Sequence, residues 1–464
     1  MAIVYSLCAA YAAYCIATNP AGPFTTPDSF HYLNATPIVP LGYPLFLKIV
    51  GARGAILVQP LLFAAALAFL GRELVRLTRS TWLAVAVIAG SMVVPQLRQF
   101  HASILSESLF LATLAVFLGF SVRFAYHPSW HLMAAIAATA GISATVRRTA
   151  VALLPVMLAM ALMQRHRLKG SQAALLFVAA LAPFLFVMGV EQAAAPIVHA
   201  GQSSSLLGRH MFAKAALIDA PPASATVVAG GPAPGADPVR AALDSQLESD
   251  YAPIRDMLAA APPDVRGVLT TYYETCLQGG CVDRSRALMP TLGEAEQTEV
   301  LGQVGLARIR RAPLAFAALT ALEYQSLWTV DRTRHPDRAP AVAAFVAAHR
   351  PLPFERMALS LEPQHVFAFE PSPRVRYMQW AMTAVAIWTG ALALSGVIAA
   401  TGVVRLPPQL AIAAVAALSA HACLLLTAIL ATGFARFTIG VWPAIVTAAV
   451  LGVWAVVTAR VTAR

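Results

Sequence analysis

A single carboxylate, Asp28, follows the first apolar run of the chain, in TTPDSFHYLNATPIVPLGYPLF from Thr25 to Phe46. Tyr32 comes after it, and then Tyr43 in a Gly-Tyr-Pro triplet. A carboxylate partly removed from water gains basicity, so an acid there is placed to take a proton from a hydroxyl at a membrane surface. Its competing role is local: an Asp ahead of SFHYLNA would N-cap a short interfacial helix. A second acid, Glu107, stands between Ser106 and Ser108 in HASILSESL, with His101 earlier in the same stretch. Paired with Asp28, it would orient an acceptor or bind a divalent cation. His101 would assist there or simply make interfacial hydrogen bonds. Arg147 and Arg148 stand together in SATVRRTAVALLP, and Arg436 stands alone in GFARFTIGVWP. Paired guanidinium groups suit a phosphate. An isolated Arg deep in apolar sequence requires an anionic partner or a water-filled cavity. The plain alternative for Arg147 and Arg148 is a turn on the cytoplasmic side.

These groups must be positioned by membrane helices. Of the 464 residues, 58% are hydrophobic and only 12% charged, half the charged share of a soluble domain, and the mean hydropathy is +0.67. Apolar runs at Met1–Thr18, Ala55–Leu74, Thr81–Val94, Leu105–Phe124, His131–Ala144, Ala150–Met163, Gln172–Val190, Met378–Val403, Leu410–Ala431 and Ile439–Val457 predict about ten spans, several of them short. Arg72, Arg76, Arg79, Arg123, Arg165, Arg167, Lys169, Arg405, Arg460 and Arg464 fall on one side if the N-terminus is cytoplasmic. Asp28, Glu107, Arg147, Arg148 and Arg436 then share the opposite face. The net charge of +11 is read as topology and attraction to anionic lipid, not as nucleic-acid binding. No basic residue precedes the first span, as when a start is placed late. A cleaved signal peptide is the other reading.

The expected division is membrane helices over 1–190, a mostly helical extracytoplasmic domain over 191–377 and membrane helices over 378–464. Val239–Leu258 and Glu294–Arg311 have helical periodicity in the middle part, and Val227 to Pro238 reads as a flexible stretch. Of the five cysteines, Cys8, Cys15 and Cys423 lie in apolar runs and read as packing residues. Cys276 and Cys281, in CLQGGC, form a disulfide if that domain faces an oxidising compartment. A zinc pair is the rival, without a second pair of ligands nearby. Arg332, Arg334, Asp337 and Arg338 read as solvated surface. His365 and Glu370 read as cleft-lining or interfacial groups. Neither GxGxxG nor GxxxxGK[ST] occurs, which argues against an ATP-driven pump.

Taken in order, PDSFHYLNA with GYPLF, SESLF, VRRTAVALLP and ARFTIGVWP resemble the GT-C class of membrane glycosyltransferases. The similarity is to the branch of protein O-mannosyltransferases and the lipid A aminoarabinose transferase. It covers the membrane part, more than half of the chain. The resemblance implies a GT-C-like fold, a polyprenyl-phosphate sugar donor and a cell-envelope glycan, lipid or protein as acceptor. It also implies an active face outside the bacterial inner membrane. It makes Asp28 the base that activates an acceptor hydroxyl for inverting attack; the second acid is Glu107 or is not used. Arg436 and Arg147 or Arg148 would hold the leaving lipid phosphate, while Tyr32, Tyr43 and His101 would line the substrate site. Some subfamilies bind a divalent metal and others do not. Two departures stand out. The mannosyltransferases carry Asp-Glu in the first loop, where Asp28 is here followed by Ser29. The long middle domain matches no domain of the family.

Two other classes compete. A lipid or polysaccharide transporter or flippase also has many spans and buried Arg, but it usually shows internal repeats or matching broken helices, and no such symmetry is seen here. A non-catalytic envelope assembly protein would keep the fold and lose the second acid.

Overall fold

The computed structural model describes residues 1–165, 171–199, 206–221, 238–262, 266–267, 270, 276–277, 281–329, 348, 373–431 and 435–462. Arg167, Lys169, Arg332, Arg334, Asp337, Arg338, His365, Glu370 and Arg464 lie outside the described residues, as do the side chains of Arg436 and Arg460 and nearly all of Val227 to Pro238.

Helices carry the regular structure. In chain order they are α1 (Ala2–Ala17), α2 (Pro27–Leu33), α3 (Gly42–Thr78), α4 (Thr81–Met92), α5 (Gln96–Ala102), α6 (Ser106–Tyr126), α7 (Trp130–Val146), α8 (Leu153–Gln164), α9 (Ser171–Val198), α10 (Leu206–Ala216), α11 (Pro238–Ala260), α12 (Cys281–Ala287), α13 (Glu294–Arg311), α14 (Pro313–Leu327), α15 (Pro373–Thr401), α16 (Pro408–Leu430), α17 (Ala435–Gly440) and α18 (Trp442–Thr462). A 3₁₀ turn, Arg148–Ala152, leads into α8. Among the described residues the β structure is one isolated bridge, Phe24 to Ser103.

Crossing a bilayer takes about 20 apolar residues in a helix, because the hydrocarbon offers the backbone no hydrogen-bond partner. Among the described residues six helices are long and apolar enough: Gly42–Thr78, Ser106–Tyr126, Ser171–Val198, Tyr377–Thr401, Pro408–Leu430 and Trp442–Ala459. The pair Thr81–Met92 and Gln96–Ala102 passes the same test together, bent by 67°. Ala2–Ala17, Trp130–Val146 and Arg148–Gln164 are shorter apolar helices. The chain is an all-α protein of the polytopic membrane class. Phe186 and Ile197 on α9, and Trp380 and Ile387 on α15, lie exposed, as suits side chains that meet lipid.

Two compact units divide the chain. The first comprises Met1–Gly201, Thr383–Leu426 and Arg436–Arg464. Its spine is α3 against α6. α3 starts well before the apolar run that marks it in sequence, and it breaks at Gly51, whose φ of 71° is costly for any other residue. The two helices run in the same direction, since they are tied at both ends. At their C-terminal ends the buried carboxylate of Glu73 accepts hydrogen bonds from Arg72 (2.9 Å), Arg76 (3.0 Å) and the Tyr126 hydroxyl. At their N-terminal ends lies the candidate site. The last helix, α18, closes this unit on one of the earliest: the Trp442 indole donates to the Gly90 carbonyl at the end of α4, 2.9 Å away.

The second unit comprises Gln202–Met382 and Thr427–Ala435. Phe212, Leu243, Leu247, Tyr251, Ile254 and Leu301 form its apolar core, drawn from α10, α11 and α13. Arg308 is fully buried and serves as its polar hub. It donates to the carbonyls of Ala215 (3.0 Å) and Ile218 (3.2 Å), and pairs with Asp244 (3.3 Å) and Glu248 (2.5 Å). One cation thereby holds the last turn of α10 and the residues that leave it. Cys276 and Cys281 are joined as a disulfide, their Cα atoms 4.6 Å apart. The final turn of α16 also belongs to this unit. There the Lys214 ammonium donates to the Ala428 carbonyl at 3.2 Å and pairs with the buried Glu323 at 3.2 Å. One turn earlier on α10, His210 hydrogen-bonds the backbone of Leu430. Side chains of α10 thus cap a helix end.

Candidate functional site

The first outer loop enters the site as α2. Thr26 is its N-cap and Pro27 its first residue, with the Thr26 amide donating to Ser29 Oγ at 2.8 Å. Asp28 is therefore in the first turn and does not N-cap the helix; this corrects the local role proposed for it from sequence. The reason is Pro27, whose fixed φ and missing N–H suit the first helical position. The carboxylate of Asp28 is half-buried.

Backbone pairing stitches this loop to the stretch ahead of α6. The Phe24 amide donates to Ala102 (2.9 Å), the Ile104 amide to Phe24 (3.0 Å), and Ser29 Oγ to the Ile104 carbonyl (2.9 Å). The next turn of α2 brings Tyr32 to the head of α6, its hydroxyl 2.9 Å from Ser106 Oγ. Arg147 Nη1 reaches the same Ser106 Oγ at 3.5 Å and pairs with Glu107 at 3.1 Å. Its guanidinium lies 5.0 Å from the centre of the Phe437 ring, next to Arg436 in α17. Glu107 is 2% exposed and Arg147 12%, so the pair is largely desolvated. The Tyr32 phenol is pushed up to about 12, first by burial and then by the Glu107 charge, with Arg147 opposing and Asp28 adding to the rise. Tyr32 thus lies within the electrostatic reach of Asp28, Glu107 and Arg147 together.

Tyr43 supports Tyr32 from below. It is fully buried, its ring meets Tyr32 edge-on at 4.9 Å, and its hydroxyl donates to Gln59 at 3.0 Å. Gln59 in turn donates to the carbonyls of His101 (3.1 Å) and Ser103 (3.3 Å), fixing the bend before α6. His101 is buried, 2.6 Å from Ser108 Oγ and packed against Tyr11 and Phe63. Its ring contacts lie in the core and not with the Tyr32 cluster.

The two adjacent arginines part company. Arg148 pairs with Glu191 of α9 at 2.5 Å. The other oxygen of Glu191 accepts the Leu41 amide at 2.9 Å, one residue before α3 begins. Ser106, Gln59, Glu191 and Phe437 are the members of this cluster that sequence reasoning did not assign. Glu191 carried a signal like that of Glu107, a lone acid at one end of an apolar run. It was read as the first residue of the outer domain, whereas the structure includes it in the membrane unit.

Among the described residues, no group of three or more His, Cys, Asp or Glu is placed to hold a metal ion. The arrangement offers a half-buried carboxylate on a short helix, a phenol–hydroxyl pair and a desolvated guanidinium, gathered from three distant parts of the chain. Such a set can accept a proton and stabilise an anion. No family model matches the chain, and neither a curated protein nor a solved structure matches it.

Proposed function

We propose that this chain is an inverting membrane glycosyltransferase with a GT-C-like fold. It moves a sugar from a polyprenyl-phosphate donor to a hydroxyl of an envelope glycan, lipid or protein, at the outer face of the bacterial inner membrane. One observation carries the reading: Tyr32, four residues after Asp28, shares Ser106 with Arg147, beside the Glu107–Arg147 pair. A base and an anion-stabilising cation thus belong to one cluster. The six long apolar helices, the bent pair and the three shorter ones make up the ten spans of this reading. The disulfide in the second unit supports an oxidising compartment for it.

In this mechanism Asp28 takes the proton of the acceptor hydroxyl. The freed oxygen attacks the anomeric carbon, and the bond from that carbon to the phosphate oxygen breaks with inversion. The electron pair leaves with the lipid phosphate, whose charge Arg147 stabilises in a site with little water to screen it. Arg436 joins it on the strength of the family resemblance. Glu107 holds Arg147 in place before the donor arrives.

The test uses the purified full chain, radiolabelled polyprenyl-phosphate sugars and envelope acceptors, with wild type compared to Asp28→Asn. Asn is nearly isosteric and cannot take the proton. The expected result is donor-dependent labelling that the variant loses by a factor of about 10²–10⁴ while it still binds donor. Labelling that survives in the variant removes Asp28 as base. Folded wild-type protein that neither labels nor binds donor turns the reading to a transporter or an assembly protein.

A further inference from the structure

We propose that Glu191 is a positioning residue of this site, acting through Arg148 to set Arg147. This rests on the transferase reading above. Its carboxylate is 3% exposed and makes two bonds: one to the Leu41 amide at the entry to α3, one to Arg148 at the start of the 3₁₀ turn that follows α7.

A closed circuit results. From Glu191 the contacts run to Leu41, and two residues on, Tyr43 meets the ring of Tyr32. Tyr32 meets Ser106, Ser106 meets Arg147, and the next residue, Arg148, returns to Glu191. Gly42 tightens the same joint, because a Cβ there would lie 2.5 Å from Thr145 Oγ1 and 2.7 Å from the Thr145 carbonyl oxygen. Thr145, on one side of Arg147, is thus packed by α3, and Arg148, on the other, is held by α9, while α6 holds the Arg147 side chain itself.

The circuit also divides the work of the two arginines. Arg148 is 52% exposed and committed to Glu191. Arg147 is only 12% exposed, and among the described residues its polar contacts, to Glu107 and Ser106, are both made by Nη1. Its planar fork therefore keeps a second edge for a phosphate oxygen. Glu191 holds the cation that does not meet substrate, so that the neighbouring one meets it at a fixed angle.

The experiment is a mutant cycle in donor turnover. Glu191→Gln keeps an acceptor for the Leu41 amide and removes the charge that Arg148 needs. Arg148→Gln removes the same pair from its exposed side and so tests the idea even if the first variant folds poorly. Each is expected to lower kcat about a hundredfold with little change in donor KM, the loss that misplacement by an ångström brings. The double variant loses no more than either single one. In an Arg147→Gln background, Glu191→Gln has no further effect, because nothing is left for it to position. Wild-type kcat in both single variants overturns the inference and leaves the transferase reading standing. Losses that multiply with Arg147→Gln also overturn it, assigning Glu191 a general structural role. Folded wild-type protein without donor turnover overturns the transferase reading and this inference with it.

Discussion

Arg147 has a carboxylate, a hydroxyl and an aromatic ring around it, and the carboxylate decides its energy. Two charges withdrawn from water hold each other, and removing one strands the other. Glu107→Gln should therefore destabilise the membrane unit by about 3 kcal/mol, read as a fall in its unfolding midpoint in detergent. The double variant Glu107→Gln, Arg147→Met should be more stable than Glu107→Gln alone; an equal or larger loss would show that the pair contributes nothing as a pair. Asp28, Glu107, Arg147 and Arg148 were legible as chemistry because acid and guanidinium groups are rare in sequence this apolar. Their partners were not. Ser106 and Gln59 carry no charge to draw notice, and only folding shows that the Glu191 carboxylate meets residues 41 and 148.

Helix joints carry the next level of control. At the α3–α7 joint Gly42 has no room for a methyl group. Gly42→Ala must push Thr145 and the turn after it away from Tyr43, so both the unfolding midpoint and donor turnover should fall. Gly189→Ala is the matched control on α9, where an added Cβ meets nothing within 4 Å. It should stabilise by about 0.5–1 kcal/mol through helix propensity alone and leave turnover unchanged. Thermal scans of the two variants beside wild type check both signs. Elements of this kind were unevenly readable. Helix α13 could be placed from Glu294 and Glu296 at its start and Arg308, Arg310 and Arg311 at its end, since charges at those ends complement the backbone dipole. The start of α3 could not, because Lys48 and Arg53 interrupt the apolar run while Tyr43, Pro44 and Leu47 are buried there.

Across the whole molecule, the second unit reports on pH through His210. Burial first, then the positive charges of Lys214 and Arg209, lower its pKa from 6.5 to about 4, against the pull of its hydrogen bond to the Leu430 backbone. The unfolded chain therefore binds this proton more readily than the folded one, so stability is lost as pH falls from about 6.5 towards 4. The loss amounts to about 3 kcal/mol when complete. Urea titrations at pH 7 and pH 5 should show this slope in wild type and a weaker one in His210→Gln; equal slopes would remove His210 as its source. The broad division of the chain into apolar and polar stretches was plain from composition. That the short piece Thr427–Ala435 belongs with the polar unit was not, because nothing local marks a contact between α10 and a carbonyl 214 residues further along.

The Trp442–Gly90 bond joins residues 352 apart, and it gives the molecule a birth order. A ribosome adding about 5–20 residues per second leaves α4 waiting roughly 20–70 s for α18. Through that interval the Gly90 carbonyl, one of the last in its helix, has neither a turn above it nor the indole that will occupy it. In hydrocarbon such a group is costly to leave bare. The nascent chain must therefore keep that face near headgroups or under the cover of the insertion machinery, and the membrane unit is sealed only once α18 has been made.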